Sequence, residues 1–526
     1  MNASSGVDKL RRTTAFVSCF SLVLALFAAV LIRWPDNFFA DDSYFYFQVA
    51  WNIARGLGST FNNVIPTNGY HPLWMLVCVA VFKAFPSKIA AVHAIGAVIS
   101  LFDAAALMLL YRVLKRVAPG SWWVAFFVYM PFCFLTQLGT EGALSGFFLA
   151  AVALAAYRVA TEPDQRAVVT FAVCGSLAVL SRLDSIFVVS LMYAAVFFAA
   201  RLSVRARVRR LLLLSLPIYM LLWGAYVGSN LHWFGTVEPI SGLLKSHPHG
   251  QTEKVAILPH IAIFSLLVIL PSIAILARFC RDTFFRVVEL PFALGVLMHA
   301  GYIVFVMSNE TRWSWYYTSW VLLASILASR VMALVLAKRP EAVRQGLAAA
   351  SLVVLLLVWY RVSYRKFAHA EPDAIGVGYQ ENLSDRLHLH TVLAFDKPGR
   401  MAYYSDVRVV ALDGLMGDLQ FQRDLAAKGI AAFDTAHQVD GFIGPPQPFD
   451  ESARENFCDR VTLSAVKFHC VASGPGEWRA DGVEVFARLT GTSAGYINLP
   501  ADELVWSEPH NVAAWRLPVA ASIPSR

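Results

Sequence analysis

Two adjacent carboxylates, Asp41 and Asp42, follow the first long apolar run of the chain and open the stretch DDSYFYFQVAWNIARGLGSTFNNVIPTNGYHPLW. Charges at a membrane boundary are costly to desolvate, so such a pair points to a wet cavity. There a carboxylate can take a proton, hold a cation or couple to an ion. A local duty competes with these, because a carboxylate favours the N-terminus of the helix expected from about Ser43 to Arg55. Capping needs one acid, and two are present. Adjacent residues at a loop-to-helix junction point in different directions, so the pair is expected to divide its duties. Tyr44, Phe45, Tyr46, Phe47 and Trp51 suit an interface, and nothing in the stretch is long enough to span a bilayer.

Other polar residues fall near the same boundary. Glu141 stands at the outer end of an apolar run with no cation close in sequence. Arg182 and Asp184 are spaced for a mutual or networked ion pair, the preferred reading of both. His71, before Pro72, reads as a hydrogen-bonded structural residue, with metal ligation or donation to a substrate as its alternatives. Lys245 and Arg312 lie in polar loops, where an interfacial snorkelling cation is the plain alternative to a binding role. Trp313, Trp315, Tyr316 and Tyr317 read as an aromatic belt at the interface, with stacking on a sugar or holding the lipid as the second reading. His247, His249 and Glu253 match no defined metal spacing.

These residues need a frame, and the composition supplies it. Of the 526 residues, 57% are hydrophobic and only 15% charged, whereas soluble chains carry about 25% charged residues. The net charge of +8 does not indicate nucleic acid, because the basic residues fall in short clusters between apolar runs. These are Arg112, Lys115 and Arg116; Arg201 to Arg210; Arg278, Arg281 and Arg286; and Lys338, Arg339 and Arg344. That is the pattern of cytoplasmic loops. Lys9, Arg11 and Arg12 precede an uncleaved first span, 14–32.

Further spans are expected near 89–111, 121–138, 142–158, 167–181, 186–200, 211–229, 257–277, 287–307, 316–336 and 345–360. Each approaches the ~20 residues that a hydrocarbon core requires. Counting 72–86 as a span would turn every later basic cluster outward, so it is read as a partial or re-entrant segment. About 11 transmembrane helices follow, with the N-terminus inside and the C-terminus outside the cytoplasmic (inner) membrane. Loop 34–71 and the polar loops 230–256 and 308–315 then share the outer face.

Residues 1–360 therefore read as a transmembrane module and 361–526 as an extracytoplasmic soluble domain. The fold class is a polytopic α-helical membrane protein with a C-terminal extracytoplasmic α/β domain. Strand-like alternation at Val407 to Leu412, a helix near Leu419 to Lys428 and a strand at Val483 to Leu489 carry the α/β assignment. Of seven cysteines, five sit in or beside apolar runs as small hydrophobes. Cys458 and Cys470 lie in the tail, where spacing alone leaves a disulfide open.

The segments DDSYFYFQVAWNIARGLGSTFNN and PTNGYHPLW resemble the first external loop of the GT-C membrane glycosyltransferases, enzymes that use polyprenyl-phosphate-linked sugars. The likeness is greatest to the mycobacterial arabinofuranosyltransferase type and more distant to protein mannosyltransferases. It recurs more weakly at LGTEGALSG, SRLDS, WFGTVEPISGLLK and ETRWSWYY, with an echo at YYSDVRVVALDGL.

The resemblance implies an inverting glycosyltransferase that moves a sugar from a polyprenyl-phosphate donor to a glycan, lipid or protein acceptor of the cell envelope. Asp41 is the expected base, with Asp42 in reserve or as a metal-binding partner; a divalent cation is an open possibility. Lys245 and Arg312 are expected at the donor phosphate, since both residue types donate to phosphate oxygens. Glu141, Arg182, His71 and Tyr316 complete the substrate-binding candidates. The competing reading is a membrane transporter or lipid flippase in which the acidic pair couples to ions. It predicts internal repeats and ionisable residues near the bilayer midplane. The spans look poor in such residues, Asp103 being the clearest.

Overall fold

The computed structural model describes residues 3–136, 139–199, 205–246, 262–307, 314–368, 383–394, 398–412, 414–433, 438–444, 450–451, 458, 466–508 and 512–517. Apolar runs must satisfy their backbone internally in hydrocarbon, and here they are all helices. Among the described residues seven helices are long and apolar enough to cross a membrane. They are Lys88–Val117, Gly142–Thr161, Ala206–Phe234, Ala262–Phe279, Phe285–Phe305, Trp315–Leu336 and Glu341–Arg365.

Five shorter apolar helices accompany them: Val17–Arg33, Pro72–Ala84, Trp123–Cys133, Gln165–Ser181 and Leu183–Phe198. Four of the five coincide with expected spans. The other, Pro72–Ala84, rises only ~20 Å, short of a ~30 Å core. The chain thus has a multi-pass membrane architecture joined to a β-containing domain outside the membrane helices.

In chain order the helices are α1 (Ala3–Arg33), α2 (Asp41–Ala54), α3 (Pro72–Ala84), α4 (Lys88–Val117), α5 (Trp123–Thr136), α6 (Gly142–Thr161), α7 (Gln165–Ser181), α8 (Ile186–Ala199), α9 (Arg205–Phe234) and α10 (Ile240–Lys245). There follow α11 (Leu270–Phe279), α12 (Leu290–Phe305), α13 (Thr318–Leu336) and α14 (Glu341–Ala368). Helix α14 continues through the polar turn that holds Arg361, Ser363 and Arg365, past the boundary expected at residue 360.

The spans hold more ionisable residues than Asp103. Glu289, His299 and Arg330 are all buried within them. Burial forces such groups to pair, and Arg330 bonds Glu289 (2.9 Å) and Asp282 (2.6 Å).

The C-terminal domain contains α15 (Leu383–Leu387), α16 (Pro398–Tyr404) and α17 (Leu419–Lys428). Its strands are β1 (Thr391–Ala394), β2 (Arg408–Ala411), β3 (Gly441–Gly444), β4 (Val466–Gly474), β5 (Glu477–Ala487), β6 (Thr492–Asn498), β7 (Leu504–Glu508) and β8 (Val512–Arg516). One sheet has the order β2-β1-β3-β8-β7 and the other β4-β5-β6. Strand β1 runs parallel to β2 and β3, which makes this half an α/β unit. Cys458 and Cys470 are joined in a disulfide.

The domain is docked on the 34–71 loop. Tyr44 and Tyr404 both donate to the Asp36 carboxylate, and Arg400 lies over the Tyr44 ring.

Candidate active site

A cavity of about 660 Å³ opens where the loop, the membrane helices and the C-terminal domain meet. Helix α2 contributes Asp42, Phe45 and Tyr46, and their i, i+3, i+4 spacing puts all three on one face. Asp41 precedes them by about 100° of helix rotation and faces another way. Its carboxylate accepts the backbone N–H groups of Gly399 (2.9 Å) and Arg400 (2.7 Å) at the start of α16. Both acids stand in the first turn of α2, whose N-cap is Ala40. Asp42, the reserve candidate for the base, thus lines the cavity, whereas Asp41, the expected base, holds the C-terminal domain.

Burial raises the Asp41 pKa to about 7, with the negative charge of Asp42 acting in the same direction. The Arg400 and Gly399 N–H groups and the Arg400 charge pull it down without prevailing. A glycine is required at 399, because a Cβ there would stand 2.4 Å from the Asp41 carbonyl oxygen.

Behind Asp42 lies a charge network. Glu141, at the start of α6, accepts from Arg182 at 2.5 Å and from the Tyr46 hydroxyl at 3.0 Å. Arg182 also grips both oxygens of Asp184, with bonds of 2.8 to 3.0 Å. Asp184 in turn lies 3.1 Å from His299 Nε2, and His299 Nδ1 faces the indole N–H of Trp320 at 3.4 Å. His71 Nε2 lies 3.5 Å from Glu141, and its backbone N–H donates to Tyr46. Burial lowers the His71 pKa, with the Arg182 and Lys245 charges helping and those of Glu141 and Asp184 opposing. Its Nδ1 accepts the Leu183 backbone N–H at 3.4 Å.

Arg182 lines the cavity and faces two carboxylates, which balance its charge locally. Glu141, isolated in sequence, has its cation 41 residues away.

Lys245 sits at the end of the short helix α10 and lines the cavity. Its ammonium donates to the Tyr316 hydroxyl at 3.1 Å, while the Arg182 guanidinium covers the Tyr316 ring at 4.5 Å. Tyr316 thus fixes one cation by its oxygen and stacks the other on its face. Asn68, from the PTNGY segment, positions α10. It accepts from Ile240 N–H (3.0 Å) and donates to the Glu238 carbonyl (3.2 Å). Gly69 next to it packs so closely on Leu415 that a Cβ would stand 2.1 Å from the Leu415 oxygen. Leu415 and Met416 bring the C-terminal domain into the cavity wall.

Phe187 of α8, Trp223 and Val227 of α9, Tyr302 of α12, and Met307 add apolar surface to the lining. Trp315 and Tyr316 line the cavity and are buried, where an interfacial belt was expected. Arg312, Trp313, His247, His249 and Glu253 lie outside the described residues.

No three His, Cys, Asp or Glu side chains converge for a metal among the described residues. Glu141 and Asp184 are committed to Arg182.

Sequence reasoning missed Tyr46 and His299. Tyr46 was findable as the i+4 neighbour of Asp42 on a helix. His299 carried a signal as an ionisable residue inside a span, but nothing local ties it to Asp184.

No family model matches the chain, and no curated protein matches it. Solved structures do. The crystal structure of ArnT from Cupriavidus metallidurans in the apo state superposes with a TM-score of 0.56 at 11% identity, covering 98% of this chain and 100% of that one. The likeness is one of fold. The two share an overall architecture along nearly the whole length of this chain. A cryo-EM structure of the arabinosyltransferase EmbB from Mycobacterium smegmatis aligns with a TM-score of 0.40 at 12% identity. That alignment covers 60% of this chain and 30% of that one, too little overlap to carry weight.

Proposed function

We propose that the chain is an inverting glycosyltransferase of the cytoplasmic membrane, moving a sugar from a polyprenyl-phosphate donor to an acceptor hydroxyl on the outer face. In this reading eleven helices cross the bilayer, the N-terminus is inside, and the domain that follows is outside. The observation that carries it is the shared cavity. Asp42, able to take a proton, and Lys245, able to hold a phosphate, line one space whose apolar surface suits a polyprenyl chain. The GT-C-like fold and the DDSYFYF motif support the same reading.

Asp42 takes the proton of the acceptor hydroxyl as its oxygen attacks the anomeric carbon. The bond from that carbon to the phosphate oxygen breaks, and polyprenyl phosphate leaves with the electron pair. Lys245 holds the charge that develops on the phosphate, oriented by Tyr316; Arg312 is the second expected donor. Arg182, clamped by Glu141 and Asp184, keeps Tyr316 in place. Leu415 and Met416 give the outer domain a part in recognising the envelope glycan, lipid or protein acceptor.

Purified full-length protein, given radiolabelled polyprenyl-phosphate sugars and an envelope extract as acceptor, should transfer label. Folded Asp42→Asn protein should not. Label transfer at the wild-type rate by Asp42→Asn would remove the proposed base. Lipid translocation in proteoliposomes without any transfer would instead support the flippase reading.

A further inference from the structure

The end of α9 remote from the cavity carries a feature that this reaction does not use. A groove of about 370 Å³ runs between α8 and α9, lined by Tyr193, Ala194 and Phe197 on one side and Leu212, Leu213 and Leu216 on the other. Arg209 precedes these leucines by three, four and seven residues, so the helix places it on the groove's own face. Its Nε donates to the Phe197 carbonyl at 3.2 Å and its guanidinium lies 5.2 Å from the Phe197 ring centre, which holds it at the groove's mouth. Its terminal amino groups bond nothing else among the described residues. Arg207 and Arg210 stand exposed beside it, and neither pairs with a carboxylate among the described residues. The sequence has no acidic residue between Asp184 and Glu238; the acids at the same end of the packed helix α7 are Glu162 and Asp164, and Asp164 accepts the Ala167 N–H.

Distance places the feature at the far membrane surface. Helix α9 rises roughly 31 Å from Arg209 to Asn230 at its per-residue rise, about the thickness of a hydrocarbon core. Asn230 lies 3.4 Å from Asn68, on the cavity side.

We propose that this groove binds an anionic glycerophospholipid of the leaflet opposite the cavity. An acyl chain would lie along Leu212, Leu213 and Leu216 against Tyr193, and the phosphate would meet Arg209 with Arg207 and Arg210. A zwitterionic lipid offers the same chain, but its own ammonium offsets the attraction to the arginines. Loose surface electrostatics alone would need no groove, and that distinction is testable.

Full-length protein in detergent is stripped of lipid and incubated with phosphatidylglycerol or phosphatidylcholine, and retained lipid is counted by native mass spectrometry. Phosphatidylglycerol should be retained preferentially. Arg209→Gln should cut its retention about fivefold, the scale of one basic residue at an anionic surface. Ala194→Phe, which fills the groove and leaves every charge in place, should cut retention by at least as much. Ser190→Phe on the same wall replaces it if thermal unfolding shows that Ala194→Phe is misfolded. Unchanged phosphatidylglycerol retention in the groove-filled variant, or equal retention of both lipids by wild type, overturns the proposal. Sugar transfer plays no part in the readout, so the result is independent of the catalytic reading.

Discussion

The Asp41 carboxylate accepts the backbone N–H of Arg400 at 2.7 Å, tying residues 359 positions apart. The neighbouring Gly399 N–H makes the second bond, so the first turn of α2 holds the first turn of α16. Because burial raises the Asp41 pKa to about 7, above an unfolded value of about 4, the sign of its linkage follows. Its contribution to stability is fully present below pH ~4 and is lost as pH rises through ~7. Thermal unfolding of wild type and Asp41→Asn from pH 4 to 8 should therefore show a steeper loss in wild type. Parallel curves would contradict the raised pKa.

Asp42 sits one residue on and faces the cavity. Asp42→Asn should lower turnover by roughly 10²- to 10⁴-fold, the usual range for a general base, with little change in melting temperature. Steady-state transfer kinetics beside thermal unfolding separate this variant from Asp41→Asn, whose larger effect should be on stability. A reversed pattern would exchange the two roles.

Lys245 and Tyr316 are joined by a 3.1 Å hydrogen bond. Lys245→Gln should raise the KM for the lipid-linked donor, and Tyr316→Phe should do so more weakly by freeing the ammonium. Residues in contact are not additive, so the double variant should cost less than the sum of the two. Strict additivity in initial-rate measurements would show that the bond does not position Lys245.

Arg182 holds Glu141 and Asp184 out of solvent. Arg182→Met would take the shared cation from two buried carboxylates, at a cost of about 3–5 kcal/mol. Denaturation in detergent should show this loss. Adding Glu141→Gln should recover part of it, because one of the stranded charges is then gone. No recovery would mean that Arg182 stabilises by its packing on Tyr316 rather than by charge.

Much of the frame is legible in the chain because its causes are local. Apolar runs of span length fold as helices wherever they lie in hydrocarbon, and the alternation at Val407 to Leu412 fits β2. Helix α2 starts two residues earlier than expected, at Asp41. The partners of Glu141 are another matter. Its cation belongs to a helix end 41 residues on, and no periodicity connects α6 to the turn after α7.

By itself the sequence determined a multi-pass helical protein with a β-containing tail, because hydrophobicity and helix period act over a few neighbouring residues. It also marked the Asp41–Asp42 pair as worth watching, since two charges at a membrane boundary are costly. Only the tertiary structure decided what each acid does. A helix turns about 100° per residue, so adjacent carboxylates point apart. Which direction meets the cavity and which meets α16 depends on how loop, bundle and C-terminal domain pack.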